Sequence, residues 1–128
     1  SNESAQEEKA QSKITMAEDS ELALLMRQLT EETDSIRAAV QAGETHPLWS
    51  QIRELHTATP TDSASSGPVF EGFASAFIGA VEEMEAADSA KVKYFNAVID
   101  RCMDCHQSFC PGPMKRIRKF YVRNQESD

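Results

Sequence analysis

Apolar residues recur at helical spacing in four stretches of the chain. In the first, Leu22, Leu25, Met26, Leu29, Thr33, Ile36 and Val40 step by threes and fours, the period of a helix with one buried face. Asp19 or Ser20 can cap its start, and Gly43 stands just past its end. A second, shorter stretch covers residues 46–56, with Thr45 as N-cap, Pro47 in the first turn and Leu48, Ile52 and Leu55 on one face. Residues 57–68 are rich in Ser, Thr, Pro and Gly and read as a loop. The third stretch begins near Pro68; its stripe is Phe70, Phe73, Phe77, Val81 and Met84, widened by Ile78, and its far face carries Glu71, Glu82 and Glu85. In the fourth, opened by Asp88 or Ser89, the seam is Val92, Phe95, Ile99, Cys102 and His106. Pro111 and Pro113 force the chain out of helix after Cys110, and one or two further turns are predicted around Ile117 and Phe120.

Four helical patterns with no credible strand predict an all-α protein, an antiparallel four-helix bundle. Residues 1–17, polar and without period, are expected to form a flexible tether. The bundle is expected over residues 18–110, followed by a basic C-terminal extension over 111–128.

Composition narrows the partners. The chain has 128 residues, 21 acidic side chains against 13 cations and a net charge of −8, which argues against nucleic acid as a partner. The longest charge-free windows, such as 72–81 and 105–114, fall far short of the roughly 18 apolar residues of a membrane span. Charge is also unevenly placed. Residues 1–35 hold nine acids and three bases, whereas residues 114–128 hold five bases and two acids.

The three cysteines lie at 102, 105 and 110. An odd number so closely spaced cannot form a disulfide framework, so their use is local. Cys102-Met103-Asp104-Cys105-His106 is C-x-x-C-H, the attachment signature of c-type haem. Two thiols three positions apart on a helix project from neighbouring turns and can add to the two vinyl groups of one porphyrin edge. The next residue, His106, brings an imidazole to the iron as an axial ligand. The same residues fit other thiol chemistry less well. Zinc needs a second ligand pair from elsewhere, because Cys102, Cys105, His106 and Cys110 on one helix cannot converge tetrahedrally. A thioredoxin-type site needs a βαβ setting. A di-iron bundle needs Glu three residues before its histidines, where His46, His56 and His106 have Gly43, Arg53 and Met103.

Only 22 residues follow His106, so a haem there must be enclosed by the preceding chain. A helical bundle with C-x-x-C-H near the end of its last helix resembles the cytochrome c-prime family, the class II c-type cytochromes, over residues 18–109. The resemblance implies one covalently attached haem c, held by Cys102 and Cys105 with His106 as proximal ligand. It also implies a periplasmic protein that is not an enzyme, with a redox partner protein and a possible homodimer. The polar N-terminus lacks a signal peptide, so the chain is expected to be a mature or trimmed form.

In such a bundle the start of the first helix lies beside the end of the fourth. Of the inward positions there, only Met26 carries a donor atom, and His/Met ligation raises the reduction potential. Met16 and Met114 are less well placed. Arg27 is a candidate partner for a haem propionate, or a solvated flank. Trp49 and the Phe70, Phe73, Phe77 stripe read as core. Three functions stay open: an electron carrier with His106 and Met26 on the iron, a five-coordinate haem protein binding or sensing NO or CO with Met26 as packing, and an interaction module without haem. The basic tail can steer a redox partner, neutralise propionates or form a solvated face. Cys110 is the odd thiol, suited to linking two subunits, to remaining a thiol, or to burial near the haem edge.

Overall fold

The computed structural model describes residues 20–60, 66–109 and 111–123. Within them the fold is all-helical. It comprises α1 (Glu21–Ala42), a 3-10 helix (Ile52–His56), α2 (Pro68–Ala86), α3 (Lys91–Phe109) and a short α4 (Met114–Arg118). Asp19, Met16, Cys110 and the expected tether lie outside the described residues.

The ends of α1 follow from side-chain and glycine chemistry. Ser20 Oγ accepts from the Ala23 N–H, and the chain leaves the helix through Gly43 in the left-handed region, φ 72°. Its predicted stripe is buried at Leu25, Leu29, Thr33, Ile36 and Val40. α2 starts at Gly67, φ 96°, with Pro68 at its first position, where the missing N–H costs nothing. α3 begins at Lys91, just after Ala90 at φ 59°, so Asp88 and Ser89 precede its boundary by more than the expected one residue.

The second predicted helix is the main departure. Residues 45–50 carry no helix, and only the five residues Ile52–His56 turn, as 3-10. The physical reason is distance. The 22 residues of α1 rise about 33 Å. The chain must descend the same length before Thr59, where the Leu22 N–H donates to the Thr59 carbonyl at 2.9 Å and the Thr59 N–H donates to Glu21 Oε1 at 2.8 Å. The eleven residues 46–56 as an α-helix would cover only about 16 Å, whereas extended backbone covers twice as much per residue. Pro47 favours that extension. The face expected for Leu48, Ile52 and Leu55 therefore breaks up. Leu48 is 60% exposed and Trp49 takes the interior instead. The Thr59 hydrogen bonds also hold the Glu21 carboxyl below its ordinary range.

Three long helices and this descending segment make the packing. α3 is central. Phe95 and Ile99 are fully buried in it, and it packs along α2 and against α1. Phe109 at its end meets Phe70 and Phe73 of early α2 edge-on at 5.6 and 5.8 Å, so α2 and α3 run antiparallel. α1 and α2 barely touch each other, because the descending segment lies between them. Trp49 anchors that segment: its ring stacks on Phe95 at 6.2 Å and its Nε1 donates to the buried Thr33 Oγ1 at 3.0 Å. The α2 glutamates expected to be solvated hold it from the other side, Glu82 pairing with Arg53 and Glu71 with His56.

Substituting Thr33→Val leaves the indole N–H buried without an acceptor and should cost about 1–3 kcal/mol of unfolding free energy. Urea denaturation should show a lower midpoint with unchanged slope, and Thr33→Ser should restore most of the loss.

Candidate cofactor site

The gap between early α1 and early α2 is a cavity of about 470 Å³. That volume falls in the range of small-molecule and cofactor pockets. Met26, Arg27, Leu29, Thr30 and Thr33 of α1 form one wall. Arg101, Cys102, Cys105 and His106 of α3 form a second. Phe70, Phe73, Ala74 and Phe77 of α2 form the third, and Pro113, Arg116, Ile117 and Phe120 close one end.

All five residues singled out in the sequence therefore line one cavity: Met26 and Arg27 from α1, and Cys102, Cys105 and His106 from the last turns of α3. Helical geometry accounts for the α3 group. Positions 102, 105 and 106 follow the buried Phe95, Val98 and Ile99 at intervals of three, four and seven, and stay on the inward side. All three are half-buried. Met26 is half-buried, whereas Arg27 is exposed at the rim. The Thr30 hydroxyl donates to the Met26 carbonyl at 2.8 Å, and Thr33 does the same for Leu29 at 2.6 Å. Both hydroxyls thus have acceptors within α1, and the other polar groups on the lining are Arg27, Glu31, Arg101, His106 and Arg116.

Burial pushes the Cys102 thiol up to about 12 from an ordinary 9.0, with the neighbouring Cys105 adding to the effect. A thiol so placed is protonated at neutral pH, the opposite of the depressed pKa of a nucleophilic or redox-active C-x-x-C. Among the described residues, no group of three or more His, Cys, Asp or Glu side chains is arranged to hold a bare metal ion. Cys110, the fourth donor of the zinc alternative, lies outside the described residues.

One cavity residue carries no distinctive pattern in the sequence. Arg101 directs a guanidinium nitrogen to Asp104 Oδ2 at 3.0 Å, while its Nε is buried with no hydrogen-bond partner. A buried donor of this kind has an energetic claim on an acceptor. The only sequence signal was its position just before Cys102.

The donor set fits a haem: two thiols and an imidazole from one helix, a thioether from another, an aromatic wall, and arginine donors for an acidic edge. Haem iron is already held by four porphyrin nitrogens and asks the protein for only one or two axial ligands.

No protein-family model matches the chain, and neither a curated protein nor a solved structure matches it.

In protein made without haem-attachment machinery, Cys102 should be alkylated by iodoacetamide at pH 8 at least about tenfold more slowly than an ordinary thiol. Peptide mass mapping reads the rate. The same shift sets a pH dependence. The folded state keeps the Cys102 proton to about 12 and the unfolded chain loses it near 9.0, so folding stability should fall as pH rises through that window.

Proposed function

We propose that the protein is a monohaem c-type cytochrome that transfers electrons, a member of the cytochrome c-prime family of the methionine-ligated kind. The observation that carries this reading is the convergence on one cavity of the C-x-x-C-H residues of α3 with Met26, the donor expected from the far end of the sequence. When bound, haem supplies a one-electron Fe(III)/Fe(II) couple.

The chain's own residues hold and tune that couple. Cys102 and Cys105 would hold the macrocycle, each by addition of S–H across a vinyl double bond, the sulfur joining one carbon and the hydrogen the other. His106 would supply an imidazole nitrogen to the iron. Met26 presents its thioether from the α1 wall, a soft neutral ligand that favours the reduced state. Phe70, Phe73, Phe77, Leu29 and Ile117 exclude water, which disfavours net charge in the site and limits reorganisation. Arg101 through its buried Nε, and Arg27 at the rim, supply donors to carboxylates. Nothing in this scheme makes or breaks a bond in a substrate, so the protein is not an enzyme. Thioether attachment occurs outside the cytoplasm, which assigns the protein to the periplasm.

The test is production with haem-attachment machinery followed by visible spectroscopy. The expected product keeps its colour through acid–acetone extraction, and Cys102→Ser with Cys105→Ser loses it. The reduced protein should be low-spin and slow to bind CO. Met26→Ala should turn it high-spin with rapid, complete CO binding. Rapid CO binding by the unaltered protein would instead establish the five-coordinate, gas-binding reading. A low-spin spectrum untouched by Met26→Ala would assign the sixth position to another residue.

A further inference from the structure

Residues 111–123 carry Lys115, Arg116, Arg118, Lys119 and Arg123 and no acid, in a chain whose net charge is −8. All five cations are exposed. Among the described residues none of them meets a carboxylate. Four of them fall within α4 and its C-cap, Lys119, around the buried Ile117. Ile117 and Arg116 line the cavity, whereas Lys115, Arg118 and Lys119 are exposed outside its lining.

This segment is fastened to the bundle. Arg37 of α1 donates through Nε to the Phe120 carbonyl at 2.9 Å and through a terminal nitrogen to the Tyr121 carbonyl at 3.2 Å. Asn96 of α3 exchanges two hydrogen bonds of 2.9 Å with the Val122 backbone. The Tyr121 hydroxyl donates to Asp100 Oδ1 at 2.5 Å, and burial with this bond raises its pKa above the ordinary 10.0. The cations therefore stand on a backbone whose positions are already set, and binding there need not order a loop. Pro113, Arg116, Ile117 and Phe120 of the same segment wall the cavity.

We propose that the outer face of α4, with Lys119 and Arg123, is the docking surface for an acidic partner protein, which it seats directly over the cavity. The reason for docking at this place rests on the electron-transfer reading, since the site brings a partner closest to a redox group held by α1 and α3. The shape of the patch selects the kind of partner. One and a half helical turns form a compact spot surrounded by an acidic molecule. An extended polyanion such as a membrane plane or a nucleic acid would also press against the exposed acid beside the patch, Glu31, which lines the same cavity as Arg116. A protein footprint of about 800 Å² can engage the spot alone.

The haem-loaded, ¹⁵N-labelled protein is titrated with an acidic [2Fe–2S] ferredoxin at low salt, followed by NMR. Chemical-shift changes should centre on residues 113–123, and affinity should fall at least about tenfold on raising salt to about 300 mM. Lys115→Glu with Lys119→Glu should weaken binding at least about tenfold at low salt. Lys93→Glu, compared with Lys119→Glu alone, makes the same change in net charge away from α4 and should stay within about twofold. Absent binding, shifts centred elsewhere, or equal effects of these two single substitutions would overturn the proposal. Stronger binding to phosphatidylserine–phosphatidylcholine vesicles, or to a DNA duplex, than to ferredoxin would overturn it too. The absorption spectrum of the same sample reports the covalent haem separately. Binding at 113–123 without that spectrum removes the haem reading and keeps the surface, and the converse result removes only the surface.

Discussion

Trp49 is the interaction on which the cavity depends. Its indole is 5% exposed, stacked on Phe95 of α3 and hydrogen-bonded to Thr33 of α1. Through these two contacts a stretch of chain with almost no regular structure is fixed against both helices. The wedge keeps α1 and α2 from closing on each other. Two helices with apolar stripes would otherwise meet at 8–10 Å, with side chains filling the space between them. Below Trp49, Ile52 and Leu55 continue the filling, and where the wedge ends the space stays open. Early α1, early α2 and late α3 meet around that opening because α3 runs against the other two.

The parts of this arrangement legible in the sequence are those set by local period. The α1 stripe is buried at five of the positions the spacing picked out, and α2 at Phe70, Phe77, Ile78, Val81 and Met84. Residues 46–56 show why period can mislead. Leu48, Ile52 and Leu55 have helical spacing, yet the span to be crossed is a property of α1, and no window of eleven residues contains it. Glu71 and Glu82 looked like a solvated face for the same reason. Their partners His56 and Arg53 belong to a segment whose path is set by tertiary distance. In the site, Cys102, Cys105 and His106 were legible from chemistry and Met26 from topology. Arg101 was not, because an arginine with one nitrogen satisfied and another buried and unpartnered is a fact of three dimensions alone.

The α3 residues acquire meaning from their protonation as much as from their place. A C-x-x-C on an exposed, cationic helix start would favour thiolate and nucleophilic chemistry. Here the pair sits in the second half of a helix, and burial, with the neighbouring Cys105, pushes Cys102 toward the thiol. The C-terminal end of the helix favours a positive neighbour. His106 in the last turn is therefore well placed to donate electron density to a cationic centre. Under the proposed reading, Cys102 and Cys105 would anchor the group and the His106 imidazole would face the iron.

α4 joins this chemistry to the outside. Ile117 and Phe120 line the cavity with apolar surface, with Arg116 beside them, while Lys115, Arg118 and Lys119 are exposed. A five-residue helix has little stability of its own, and α4 is held through the buried Ile117 and through the residues just after it, Phe120–Val122, which Arg37, Asn96 and Asp100 fasten to α1 and α3. Those helices also carry Met26 and His106. The element that seals the cavity, the helices that supply its donor atoms and the charged surface above it are thus parts of one fastened unit. A partner held by the cations would approach the cavity at a distance set by the fold, not by the reach of a loose tail. For electron transfer, whose rate falls steeply with separation, that fixed distance is the property a docking surface has to provide.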